Sequence, residues 1–191
     1  MNPAQHQRFQ IRVVAVIGAG QAGRSFAMAC VAAGFYVTLE DVMPAKLRKA
    51  EAEYADKSLH GGFGELQLAS TVEDAVREAD IAVDFVPDEL ESKLEIFSMI
   101  DRMAPPKTIL CSPTEALSIT DLASCIYRPD RAVAIRGGLE GGPVTILYPP
   151  GAQAGLVDTV RDFLSQVGFQ PSVEPDRDPP MLVKNPFLPP D

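Results

Sequence analysis

The chain has 191 residues, 46% of them hydrophobic, and a formal net charge of −9. That length supports one domain with a real core and falls short of two full ones, and the apolar fraction excludes global disorder. So acidic a surface repels phosphate backbones and anionic lipid, which argues against a general nucleic-acid or membrane-surface role but not against a nucleotide held in a local pocket.

Strands alternate with helical patterns from residue 11 to about 136. Ile11 to Ile17 is a β-branched run ending in glycine and reads as a buried strand. Gln21 to Ala33 is alanine-rich with Phe26, Met28 and Val31 near helical spacing, and Gly34 stops it. Phe35 to Glu40 reads as the second strand. Pro44 suits the first turn of a helix continuing through Tyr54. His60 to Gly64 is a loop by composition and Leu66 to Ala69 a short strand. Thr71 caps a helix with Glu73 and Asp74 in its first turn. Ile81 to Val86, Thr108 to Cys111 and Ala132 to Ile135 read as strands, Glu89 to Met103 and Leu117 to Cys125 as helices. Such alternation builds a mainly parallel, doubly wound α/β sheet with helices on both faces. Beyond residue 136, a glycine-rich loop leads to a strand at Val144 to Tyr148 and a helix at Leu156 to Val167. An edge strand follows at Phe169 to Val173. From Pro171 to Asp191 there are seven prolines, so residues 175–191 read as a tail separate from a domain spanning 1–174.

Three cysteines, Cys30, Cys111 and Cys125, lie scattered in apolar runs without metal-ligand spacing. They read as reduced thiols of a cytoplasmic protein. The first ten residues lack a signal-peptide core, and no apolar stretch approaches the roughly 20 residues that span a bilayer.

The strongest motif is Gly18-Ala19-Gly20-Gln21-Ala22-Gly23, between an apolar strand and an alanine-rich helix. A bare GxGxxG is weak; this context is the one a dinucleotide requires. Gly18 permits the tight turn, Gly20 lets backbone approach a pyrophosphate, and Gly23 lets helix and strand pack closely. The helix N-terminus offers N–H groups and partial positive charge to the phosphates. Asp41, after the second strand, is placed to accept from a ribose 2′-hydroxyl and to repel a 2′-phosphate, which favours NAD over NADP. The bland alternative is a turn kept for packing. Arg24 in the first helical turn either answers a bound pyrophosphate or turns to solvent.

With these residues in register, the chain resembles the NAD-binding domain of the 3-hydroxyacyl-CoA dehydrogenases from about Val13 to Val183. Further carriers are Val37 to Val42, Ala79 to Asp88, Lys93, Ile109 to Ser112 and Arg128 to Arg131, with no gap needed between Asp88 and Arg136. The resemblance implies a Rossmann sheet and NAD as cofactor. It places Asp88 and Lys93 on the nicotinamide side, Asp88 being one methylene shorter than the family's Glu, and adds Ser112 to the cofactor-binding set. Lys93 reads otherwise as a solvated helix lysine.

The catalytic positions depart from the family. Its Ser-Asn-Thr-Ser run is Ser112-Pro113-Thr114-Glu115 here, so the substrate-contacting Ser is Glu115. Its general-base His falls on Arg136, and the Glu that orients that His falls on Tyr148. Arg stays protonated and cannot take a hydroxyl proton. The only histidines are His6 and His60. The stretch Tyr54 to Leu66 is short where the family has a helical insertion that helps hold coenzyme A. The chain stops in prolines where the family continues into a helical second domain.

Several readings stay open at this level. One is a divergent NAD-linked oxidoreductase acting on a small acidic or carbonyl substrate. Arg136 would be its anchor, with a water, Glu115 or Tyr148 in the proton path. A second is a non-catalytic NAD(H)-sensing module that docks a protein partner through Pro186 to Pro190. A third is an unliganded relic. Arg136 is either a ligand anchor or the partner of Glu115 or Glu140. A homo-oligomer through an exposed edge at Val144 to Tyr148 is also expected as a possibility.

Overall fold

The structure, a computed structural model, describes residues 9–58 and 64–176. His6, His60 and the tail expectation beyond residue 176 lie outside the described residues. Eight strands form one sheet in the order β3-β2-β1-β4-β5-β6-β7-β8. They are β1 Val13–Ile17, β2 Tyr36–Glu40, β3 Glu65–Ala69, β4 Ile81–Asp84, β5 Ile109–Pro113, β6 Ala132–Arg136, β7 Gly142–Tyr148 and β8 Phe169–Pro175. All neighbours are parallel except β6 and β7. The helices are α1 Gln21–Ala32, α2 Pro44–Ser58, α3 Val72–Val76, α4 Leu90–Met103, α5 Ile119–Ser124 and α6 Leu156–Val167. This is the doubly wound Rossmann sheet that the alternation predicts. The strand order reverses between β1 and β4, so the crevice at their carboxyl ends is the expected ligand site.

Alternate residues of the buried strands feed two cores. Val14 and Val16 face a core shared with α1 and α6; Ala15 and Ile17 face one shared with α3, α4 and α5. Phe26 anchors the first core. Its ring lies 5.4 Å from Phe85, 6.3 Å from Phe163 and 6.0 Å from Phe169, tying α1 to α6 and β8. Each such aromatic pair adds about 0.5–1.5 kcal/mol beyond its buried area. Burial pushes the Cys30 and Cys111 thiols far above their ordinary range, so both are inert hydrophobic fillers.

One expectation is corrected here. β7 is no edge, because β8 covers it along seven register pairs from Gly142↔Phe169 to Tyr148↔Pro175. An edge pairing of Val144 to Tyr148 with a second copy is therefore excluded by occupied backbone groups. Pro171 and Pro175 lie within β8, where an edge strand tolerates proline. Asp176 then accepts from Ser118 Oγ at 2.7 Å, Thr120 N at 2.8 Å and Thr120 Oγ1 at 2.8 Å, fastening the end of β8 to the start of α5.

At the opposite end of the sheet, Asp80 ties three strands together. Its Oδ2 accepts from the Arg12 amide at 2.8 Å and the Val13 amide at 2.9 Å, and Lys107 pairs with Oδ1. Burial alone would raise its pKa; Lys107 and the two amides outweigh that, and the net shift is downward from 3.8. A depressed carboxyl stabilises the fold above its unfolded value, and that stability is lost as pH falls through the native value. Asp80→Asn is therefore expected to lower the urea midpoint at pH 7, with the gap to the parent narrowing below about pH 4. A gap that stays constant from pH 7 to pH 3 would show that the charge on Asp80 does not matter.

Candidate functional site

The glycine turn sits at the carboxyl end of β1, beside the switch point. Gly18 has φ +103°, and a Cβ there would lie 3.0 Å from the Phe85 carbonyl oxygen. A Cβ on Gly23 would lie 1.9 Å from Gly18 O, so no other residue fits that contact between helix and turn. Gly20 differs: a Cβ on it meets nothing within 4 Å. It faces an open ledge, flanked by exposed Gln21 and Ala22. Helix α1 begins there with no side-chain cap and no acidic residue in its first turn. An open ledge over an uncapped helix N-terminus fits a diphosphate.

Ala19 plays a different part from the one expected. Its N–H donates to Asp41 Oδ2 at 2.9 Å, and its carbonyl accepts from Arg24 Nη1 at 3.0 Å. Arg24 is buried rather than turned to solvent, and its Nε reaches Glu53 Oε1 at 3.3 Å. The turn is thus gripped on both sides of the Ala19 residue. Asp41 also accepts from the Met43 amide at 2.9 Å and from Lys46 Nζ at 3.0 Å. Burial pushes its carboxyl up, but these donors outweigh burial and hold it below its ordinary value. Glu40 beside it is raised, by burial first and by the Asp41 charge second. Val42 and Met43, both exposed, continue the ledge beyond Asp41 with apolar surface.

On the other side of the switch point, Lys93 is not a solvated lysine. It is 1% exposed, its Nζ 2.6 Å from Asp84 Oδ1 and 2.8 Å from the Pro113 carbonyl oxygen. Burial raises the Asp84 carboxyl, opposed by Lys93. Ser112, also placed among the cofactor contacts, is fully buried. Its hydroxyl is close enough to pull the Asp84 carboxyl downward, yet it makes no hydrogen bond of good geometry. Both burials have one cause: the βα turn folds α4 over the ends of β4 and β5 and seals these groups beneath the site. The sequence carried a signal for this. Lys93, Ile96, Phe97 and Ile100 fall on one buried helix stripe.

Three loops form the rim above them. Asp88 Oδ2 accepts from the Glu115 amide at 2.9 Å, and Glu115 Oε1 accepts from the Gly137 amide at 3.1 Å. The loops after β4, β5 and β6 are thereby laced in sequence. Arg136 donates from Nη2 to the Leu117 carbonyl at 3.3 Å, and Glu115 is spent on Gly137. Tyr148 is not near Arg136. The β6–β7 register sets Arg136 opposite Thr145, three residues before Tyr148, and Tyr148 lies at the far end of β7. Among the described residues there is no cluster of side chains suited to a metal ion, and no helix is long and apolar enough to cross a membrane.

Comparison with known proteins agrees with this geometry. The family model for the 3-hydroxyacyl-CoA dehydrogenase NAD binding domain matches residues 13–136. A probable 3-hydroxybutyryl-CoA dehydrogenase of Bacillus subtilis is 33% identical over 139 residues, covering 66% of this chain and 48% of that protein. A 5-formyl-3-hydroxy-2-methylpyridine 4-carboxylate 5-dehydrogenase of Mesorhizobium japonicum is 29% identical over 93% of this chain and 62% of its own length. A crystal structure of an enzyme of that name, described as an NAD+-dependent dismutase, superposes with a TM-score of 0.77 at 25% identity, covering 93% of this chain and 61% of that one. A 3-hydroxyacyl-CoA dehydrogenase from Archaeoglobus fulgidus gives 0.75 at 26% identity, with 88% and 58% covered. The chain spans between about half and two thirds of the length of these relatives. A glycine ledge at the switch point, an acid after β2 and a match to the family from β1 through β6 lead to one conclusion: the chain belongs to the 3-hydroxyacyl-CoA dehydrogenase family, of which it carries the NAD-binding domain.

Proposed function

We propose that this domain is the cofactor half of a divergent NAD-linked oxidoreductase that acts on a small acidic carbonyl or alcohol substrate. The observation that carries the cofactor reading is the open ledge at Gly20 over the uncapped start of α1. NAD supplies hydride transfer when bound. Gly20, Gln21 and Ala22 would hold its diphosphate, Asp41 its adenosine ribose, and Asp88 on the rim its nicotinamide ribose. Gly18, Ala19 and Gly23 shape the turn. Lys93 and Ser112 act from beneath, with Lys93 fixing the Pro113 carbonyl and so the floor under the nicotinamide.

Arg136 supports an acidic substrate: a guanidinium at the carboxyl end of β6 recognises a carboxylate well. The relative from Mesorhizobium japonicum, matched over most of this chain, is named for a pyridine carboxylate bearing a formyl group. The family's histidine base has no counterpart at Arg136. A water on the rim is the group left to carry the proton, since Glu115 is engaged by Gly137 and Tyr148 is remote.

The lacing of Glu115 to Gly137 favours a second reading, a non-catalytic NAD(H)-sensing or partner-docking module. Incubation with NADH and a panel of keto acids, aldehydes and hydroxy acids separates the two. Hydride exchange on any member supports the enzyme, and none across the panel in protein shown to bind NADH supports the module.

Calorimetric titration with NADH tests the ledge. Gly20→Val adds a side chain into space empty of protein, so thermal stability should hold while affinity falls about thirtyfold or more, the equivalent of about 2 kcal/mol. Unchanged affinity would move the diphosphate elsewhere. Lys93→Met leaves Asp84 buried without its cation and should cost about 3–5 kcal/mol of stability; the double variant Asp84→Leu/Lys93→Met should recover most of it. Lost NADH affinity at unchanged stability would instead make Lys93 a direct cofactor ligand.

A further inference from the structure

The corner between β2 and α2 holds a cation where a helix least favours one. Helix α2 starts at Pro44 with no acidic residue in its first turn, and Lys46 lies in that turn, followed by Arg48 and Lys49. Positive charge near a helix N-terminus opposes the macrodipole. Lys46 is compensated by Asp41, 3.0 Å away, with side-chain exposures of 41% for the lysine and 6% for the aspartate.

Asp41 is nearly saturated. Its two oxygens already accept from the Ala19 amide, the Met43 amide and Lys46. A carboxylate offers about four acceptor positions, so one remains. A two-oxygen grip on the ribose diol needs Oδ2 partly cleared. The two amides belong to fixed turns, whereas Lys46 has an exposed and flexible stem. Lys46 is therefore the partner that gives way, and the displaced ammonium stays beside the sugar.

On the reading that the adenosine ribose sits at Asp41, we propose that Lys46 is a selectivity residue for the dinucleotide. Its ammonium offsets the Asp41 charge and stands where a ribose 2′-phosphate would project, so the site admits NADP(H) more readily than its aspartate alone would allow. NAD(H) keeps the advantage, because Asp41 is pinned as an anion by two backbone amides.

The test is titration of NADH and NADPH, followed by nicotinamide fluorescence, against the parent chain and Lys46→Met. Lys46 is partly exposed, so its removal leaves the fold intact. NADPH affinity should fall about five- to tenfold in Lys46→Met, the effect of one screened charge at a few ångströms, while NADH affinity changes less than about twofold. Asp41→Asn should shift preference toward NADPH, and the double variant Asp41→Asn/Lys46→Met should lose that gain. Rising salt should erode NADPH binding more in the parent than in Lys46→Met. If NADH binds and both proteins take NADPH equally well, the role of Lys46 is refuted and the cofactor reading stands. If neither nucleotide binds the parent chain, both fall together.

Discussion

The fold turns on a contact that leaves no room for a side chain. A Cβ on Gly23 would sit 1.9 Å from the carbonyl oxygen of Gly18, deep inside any van der Waals distance. That approach presses the start of α1 against the end of β1 and aims its first amides at the switch point of the sheet. The turn is then immobilised through Ala19, whose N–H is taken by Asp41 and whose carbonyl is taken by Arg24. Asp41 and Arg24 thus hold the same peptide segment from opposite sides. Preorganisation of this kind spares a ligand the cost of ordering the loop.

The opposite half of the crevice follows a different logic. Asp84 and Lys93 neutralise one another out of solvent, and Lys93 also satisfies the Pro113 carbonyl. Above them, carboxylates at Asp88 and Glu115 each accept a neighbouring loop's amide. These bonds tie the loops after β4, β5 and β6 to one another. The rim on this side ends at half-buried Arg136, which donates to the Leu117 carbonyl.

The alternation of strands and helices and the glycine turn are legible in the sequence because each rests on local rules. Three glycines at fixed spacing, a β-branched run before them and an acid after the next strand specify the turn without tertiary knowledge. The burial of Lys93 is not legible from its charge, because its partner lies nine residues earlier, on a strand that only the βα fold brings beneath it. The apolar stripe of Ile96, Phe97 and Ile100 is the signal the sequence offers. The place of Tyr148 depends on the β6–β7 register, which sets Arg136 opposite Thr145 and which residue counting along the chain does not supply. The prolines of β8 look like a tail until the sheet supplies an edge on which they are harmless.

The latch at Asp176 has a mechanical consequence. One carboxylate oxygen receives Ser118 Oγ, Thr120 N and Thr120 Oγ1, just where the last strand ends. A tug on the chain beyond this point reaches α5 and the loop before it first. Only when that knot slips does the load pass to β8, and there it runs along the strand, so the ladder to β7 is sheared as a block rather than unzipped pair by pair.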